Sequence, residues 1–153
     1  MTSNNKIAIV TGASTGLGKS ISVKLAFQGY EILLASRNEE KLNEVHKIIS
    51  DRGGQSHVII ANVSNESDIE NLYSKIDTDR VDILVNNAGF GVFNKIQKIS
   101  SKEWDEQMNT NLRGSFLMTR YLVESMISRK TGKLIFINSV AGINAYPYSS
   151  AYV

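Results

Sequence analysis

Cysteine is absent from the 153 residues, and histidine occurs only twice, at His46 and His57. The first absence excludes disulfides, thiolate-bound metals and cysteine nucleophiles. The second leaves imidazole too sparse for a histidine metal centre, so no metal is expected. Charge of one sign is also scarce. With 17 Lys and Arg against 15 Asp and Glu, the formal net charge is +2, and the basic residues form no dense run. That balance offers no electrostatic footprint for nucleic acid or an anionic membrane. No apolar run approaches the ~18 residues of a membrane span. Residues 1–6 are polar and too short for a signal peptide. The expectation is a cytoplasmic chain with no membrane or nucleic-acid partner. Repeats, linkers and low-complexity tracts are missing as well, so 1–153 reads as one domain, and 42% hydrophobic content is enough for a core.

What the chain does have is regular alternation of strand-like and helix-like stretches. Strands are expected over 7–11, 31–36, 57–61, 82–86 and 134–138. The run Ile7-Ala8-Ile9-Val10 is apolar without alternation, as suits a parallel strand covered on both faces. Helices are expected over 17–28, stopped by Gly29, and over 39–50, with Leu42, Val45 and Ile49 on one side. A third is expected over 66–75, with Ser64 as its N-cap. Ser100 and Glu103 form a capping-box pattern opening one long helix to about Arg129. Strands alternating with helices specify an α/β chain, a parallel sheet with helical cover.

The chemistry concentrates at the strand ends. Thr11-Gly12-Ala13-Ser14-Thr15-Gly16-Leu17-Gly18 follows the first strand and opens the first helix. A helix beginning in a glycine turn directs free N–H groups and partial positive charge at an anion, and glycine lets the backbone approach it closely. A phosphate site is one reading and an ordinary strand–helix turn the other. After the second strand stands Ala35-Ser36-Arg37-Asn38, without a carboxylate. A guanidinium there suits the 2′-phosphate of NADP, where an acid would suit the ribose of NAD; otherwise Arg37 starts a solvated loop. Asn62 and Val63, after the third strand, could hold an adenine or form a plain asparagine turn. Asn86-Asn87-Ala88-Gly89 could tie neighbouring strands together and face a ligand, or form a plain turn. Taken singly, Ser139 reads as a loop hydroxyl, Tyr152 as a packing residue and Asn111 as a poor helix former on a surface.

Together these stretches resemble the classical short-chain dehydrogenase/reductase family, and 3-oxoacyl-carrier-protein reductases within it. The resemblance implies a Rossmann-type doubly wound sheet with strand order 3-2-1-4-5. It implies hydride transfer between a nicotinamide, NADP favoured over NAD, and a small carbonyl or alcohol substrate. In that likeness Tyr152 is the general acid, Ser139 orients the substrate oxygen and Asn111 holds a relay water. Gly12, Ser14, Thr15, Gly16, Leu17 and Gly18 cradle the pyrophosphate, and Arg37, Asn62, Val63 and Asn87 lie along the adenosine. Phe90, Val92, Phe93, Ile143 and Tyr148 could line an apolar mouth or equally be core or lid residues. The family pattern is Tyr-x-x-x-Lys, and its lysine would fall three residues past Val153. The expectation is therefore a domain incomplete at its C-terminus, lacking the later strands and turning over little alone. A non-catalytic nucleotide- or partner-binding module is the alternative. The whole protein is expected to be a homo-oligomer.

Overall fold

A computed structural model describes residues 6–144 and 146–152. Its elements alternate as β1 (Ile7–Thr11), α1 (Gly16–Ala26), β2 (Glu31–Ser36), α2 (Glu39–Ser50), β3 (Ser56–Ile60), α3 (Glu66–Ser74), β4 (Val81–Asn86), α4 (Ser101–Met108), α5 (Gly114–Arg129) and β5 (Lys133–Phe136). The five strands form one parallel sheet in the order β3-β2-β1-β4-β5, the doubly wound Rossmann-type arrangement. The order reverses between β1 and β4, so the connections leave β1 on one side and β4 on the other.

Continuous apolar strands follow from this cover. Alternate side chains of one strand enter opposite cores. Ala8, Val10, Ile32, Leu34 and Val85 pack with Leu42, Val45 and Ile49 of α2. Ile9, Leu33 and Leu84 pack with Ile69 and Leu72 of α3 and with Leu117, Met118 and Leu122 of α5. At the edge, β5 pairs with β4 alone and leaves Ile135 and Phe136 exposed.

The structure departs from the sequence reading in several places, each with a local cause. In helix α1 the helical spacing of Ile21, Leu25 and Ala26 marks the apolar positions; Ala26 is buried together with Gly18 and Ser22, while Ile21 and Leu25 pack half-buried against the same core. Small residues four apart let this helix lie close to the sheet, and the Ser22 hydroxyl donates back to Gly18 O at 2.7 Å. Asn65, not Ser64, caps α3, accepting from Ser67 N at 3.1 Å. Ser64 is diverted because its own N–H and hydroxyl donate to Asn62 Oδ1. The expected long helix is interrupted by a π-turn over Asn109–Arg113, which separates α4 from α5. β3 begins and ends one residue earlier than expected, and β5 is shorter, ending at Phe136.

The capping box at Ser100 is formed. Its hydroxyl accepts from Glu103 N at 3.2 Å while Glu103 Oε2 accepts from Ser100 N at 2.8 Å. Ser100→Ala is expected to cost about 1 kcal/mol, read as a lower urea midpoint. The same bonds from Ser100 hold the Glu103 carboxyl below its ordinary pKa. Its contribution is thus present above the unfolded carboxylate range and is lost as pH falls into acid. Among the described residues no helix is long and apolar enough to cross a membrane.

Candidate functional site

The carboxyl ends of the strands open into two adjoining clefts. The first, about 400 Å³, crosses the ends of β3, β2 and β1. The second, about 700 Å³, lies over β4 and β5. Leu17, Asn87, Ala88, Gly89 and Phe90 line both, so they form one trough at the topological switch point.

The first cleft is built on the glycine turn. Gly12 takes φ +63°, and a Cβ there would stand 2.8 Å from Asn87 Nδ2 and 3.0 Å from Ala88 Cα. The turn therefore has neither the conformation nor the space for a side chain. Thr15 precedes α1 with extended backbone, but its side chain makes no cap bond, and the first turn holds no acid. Helices α2, α3 and α4 are capped by the side chains of Asn38, Asn65 and Ser100. The amino end of α1 alone among these is left without a side-chain acceptor, and Ser14, Thr15, Gly16 and Leu17 place it on the cleft. Gly18 does not line the cleft. It is buried beneath it, where a Cβ would meet Gly12 O at 2.2 Å.

Farther along, the ends of β2 and β3 contribute Arg37, Asn38, Asn62 and Val63. Arg37 is exposed and forms no ion pair among the described residues. Among the described residues it is the single charged one in the lining. Asn62 makes the asparagine turn noted above and also lines the cleft; its N–H donates to Asp68 Oδ2 at 2.8 Å. Val63 is buried and packs against Gly114, where a Cβ would lie 2.9 Å from Val63 Cγ2.

Asn87 joins the two halves. Its Nδ2 donates to Thr11 O at 2.9 Å and Gly12 O at 3.3 Å. The Thr11 hydroxyl accepts from Asn87 N and Ala88 N, each at 3.0 Å. Thr11 thus pins the end of β4 to the glycine turn, a role the sequence reading did not assign. A hydroxyl as the last residue of a buried apolar strand was the available signal.

The second cleft gathers residues far apart in sequence: Asn86, Asn111, Ser115, Ser139 and Tyr152. Asn111 sits in the π-turn and is half-buried. Its side-chain amide pairs with one backbone unit, donating to Phe90 O at 2.8 Å and accepting from Phe90 N at 3.0 Å. Ser139 caps a short turn over Val140–Gly142, its hydroxyl accepting from Ala141 N at 3.1 Å. The Tyr152 ring lies 5.4 Å from that of Phe93. Of the candidate mouth residues, Phe90 lines both clefts; Val92, Phe93, Ile143 and Tyr148 line neither, and Ile143 is 87% exposed. The histidines are engaged at the start of β3, His57 with Glu31 and His46 with Ser56, each at 2.9 Å.

A glycine turn under an uncapped helix, opening beside a cavity with a serine and a tyrosine, has counterparts among known proteins. The profile of the short chain dehydrogenase family matches residues 6–153. The chain belongs to this family. Among short-chain dehydrogenase relatives, it is 33% identical over 152 residues to the 3-oxoacyl-[acyl-carrier-protein] reductase FabG of Staphylococcus epidermidis, covering 97% of this chain and 62% of that one. It is 33% identical over 151 residues to a cyclopentanol dehydrogenase of Comamonas testosteroni, covering 97% and 60%. A solved metagenomic short-chain oxidoreductase in complex with NADP superposes with a TM-score of 0.92 at 34% identity, covering 96% of this chain and 68% of that one. This short-chain dehydrogenase chain spans about three-fifths of the length of these curated relatives.

Proposed function

We propose that the chain holds NADP(H) in the first cleft and presents Ser139 and Tyr152 to a small ketone, aldehyde or secondary alcohol in the second. The observation that carries the reading is the charge of the cleft: its one charged residue is Arg37, beside a helix end left without a side-chain cap. An anion meets a guanidinium and free N–H groups there, and no carboxylate opposes it. The NADP held by the metagenomic relative fits this reading.

The glycine turn and the N-terminus of α1 receive the pyrophosphate, and Arg37 takes the 2′-phosphate. Asn62, through its remaining amide N–H groups, and the backbone of Val63 face the adenine. Asn87 keeps the turn in shape by its bonds to Thr11 and Gly12. When bound, the nicotinamide supplies or accepts the hydride. Tyr152 gives or takes the proton at the substrate oxygen, and the Ser139 hydroxyl orients that oxygen. With its side-chain amide engaged on Phe90, Asn111 offers a relay water its backbone carbonyl, which also accepts from Ser115 Oγ at 3.2 Å. A cytoplasmic setting and a homo-oligomeric whole protein belong to the same proposal.

Hydride transfer is measured in a single turnover, with the chain in excess over NADPH and a panel of ketones. Tyr152→Phe and Ser139→Ala are each expected to slow it by about 100-fold or more. Transfer at the parent rate in Tyr152→Phe contradicts the assignment. A form continued through the family's Tyr-x-x-x-Lys is expected to be faster, since an ammonium near the phenol favours its ionised form.

A further inference from the structure

Gln107 on α4 is completely buried, yet its side chain is only half satisfied. Oε1 accepts from Val92 N at 2.6 Å, while Nε2 has no partner among the described residues. Leaving a buried N–H unpaired is costly, and an unbranched apolar side chain of similar shape would avoid that cost. The amide therefore weakens the core unless its bond to Val92 serves another end.

That bond belongs to a clamp. One turn along, Asn111 grips both polar groups of the Phe90 backbone. Gln107 and Asn111 together hold alternate residues of the segment 90–93. Tyr152 packs against the same segment. A Cβ on Gly91 would stand 3.1 Å from Tyr152 Cδ2 and 2.8 Å from the Phe93 ring, so the phenol lies directly against backbone. Phe93 flanks the same ring, and Asn94 N donates to Tyr148 O at 2.8 Å, tying the segment to the turn that bears Tyr152.

We infer that Gln107 is a positioning residue for Tyr152, acting through Val92 and the Gly91–Phe93 segment, with which the phenol ring is in contact. The inference rests on the assignment of Tyr152 as proton donor. Gln107 itself lines neither cleft and touches no reacting atom.

The test follows the Tyr152 ring carbon attached to the hydroxyl by NMR in the whole chain, assigned with Tyr152→Phe. Gln107→Met keeps the shape of the side chain and removes the acceptor. It is expected to speed exchange of the Val92 amide by about 10-fold, the loss of one hydrogen bond. The Tyr152 signal is expected to shift or broaden, while that of Tyr73, buried beside α5, stays put. Single-turnover hydride transfer falls by about 10- to 100-fold with the NADPH Kd unchanged, as for a displaced reacting group. Gln107→Glu, read at a pH where its buried carboxyl is protonated, retains an acceptor for Val92 and restores the amide protection and the Tyr152 signal. Gly91→Ala, which presses on the ring from the segment itself, shifts the Tyr152 signal whether or not the methionine variant folds. An unmoved Tyr152 signal in Gly91→Ala, or in Gln107→Met with Val92 unprotected, overturns the inference. Unimpaired transfer in Tyr152→Phe overturns the proton-donor assignment instead, and leaves the ring signal to report the mechanical link.

Discussion

Gly18→Ala is expected to lower stability by about 3 kcal/mol and to abolish cofactor binding, although alanine is the better helix former by about 1 kcal/mol. A Cβ at position 18 would lie 2.2 Å from Gly12 O and 2.5 Å from Asn87 Nδ2. The first of these is backbone and cannot rotate away. Relief requires α1 to lift from the turn, which breaks the Asn87 bonds to Thr11 and Gly12 and spoils the packing of Ser22 and Ala26. Overpacking costs about 1–3 kcal/mol, and each lost hydrogen bond about 1 more. Urea unfolding checks it: the midpoint should fall sharply with little change in slope. Gly16 is the internal control. A Cβ there meets nothing within 4 Å, so Gly16→Ala suffers only from its φ of +54° and should cost about 1 kcal/mol. Equal losses at 16 and 18 would contradict the packing argument.

Arg37→Asp is expected to reduce the preference for NADPH over NADH by about 1–3 kcal/mol, roughly 5- to 150-fold. Arg37 contributes the single charge in the lining and is tied up in no ion pair among the described residues. Reversing it replaces attraction for a 2′-phosphate by repulsion and gives the 2′-hydroxyl of NADH an acceptor. Because Arg37 is exposed, the effect should shrink as salt rises. Competitive titrations of the two cofactors at low and high ionic strength measure the ratio. A ratio unchanged by the substitution would refute the role given to Arg37.

Much of the framework was readable from sequence because its signals are strong and local. Ile7 to Val10 is apolar at every position, which only a doubly covered strand requires, and the glycines that follow mark the turn. The features that were not readable depend on partners distant in sequence. Nothing near Asn111 announces a π-turn; its amide is held by Phe90, 21 residues away. Ser64 has the chemistry of an N-cap, but Asn62 takes its hydroxyl and the cap moves to Asn65. The apolar positions of α1, Ile21, Leu25 and Ala26, were legible, but Gly18 and Ser22, which close approach to the sheet buries beside Ala26, were not. Thr11 and Gln107 were overlooked for the same reason, since the value of each lies in backbone groups brought to it by the fold: Asn87 and Ala88 for one, Val92 for the other.

The central claim is that the first cleft is a cradle for a phosphorylated dinucleotide. Calorimetric titration of the chain with NADPH and with NADH, at low salt and equal protein concentration, tests it most directly. The account predicts one NADPH per chain, bound at least about 10-fold more tightly than NADH. No binding of either, or a preference for NADH, would contradict it.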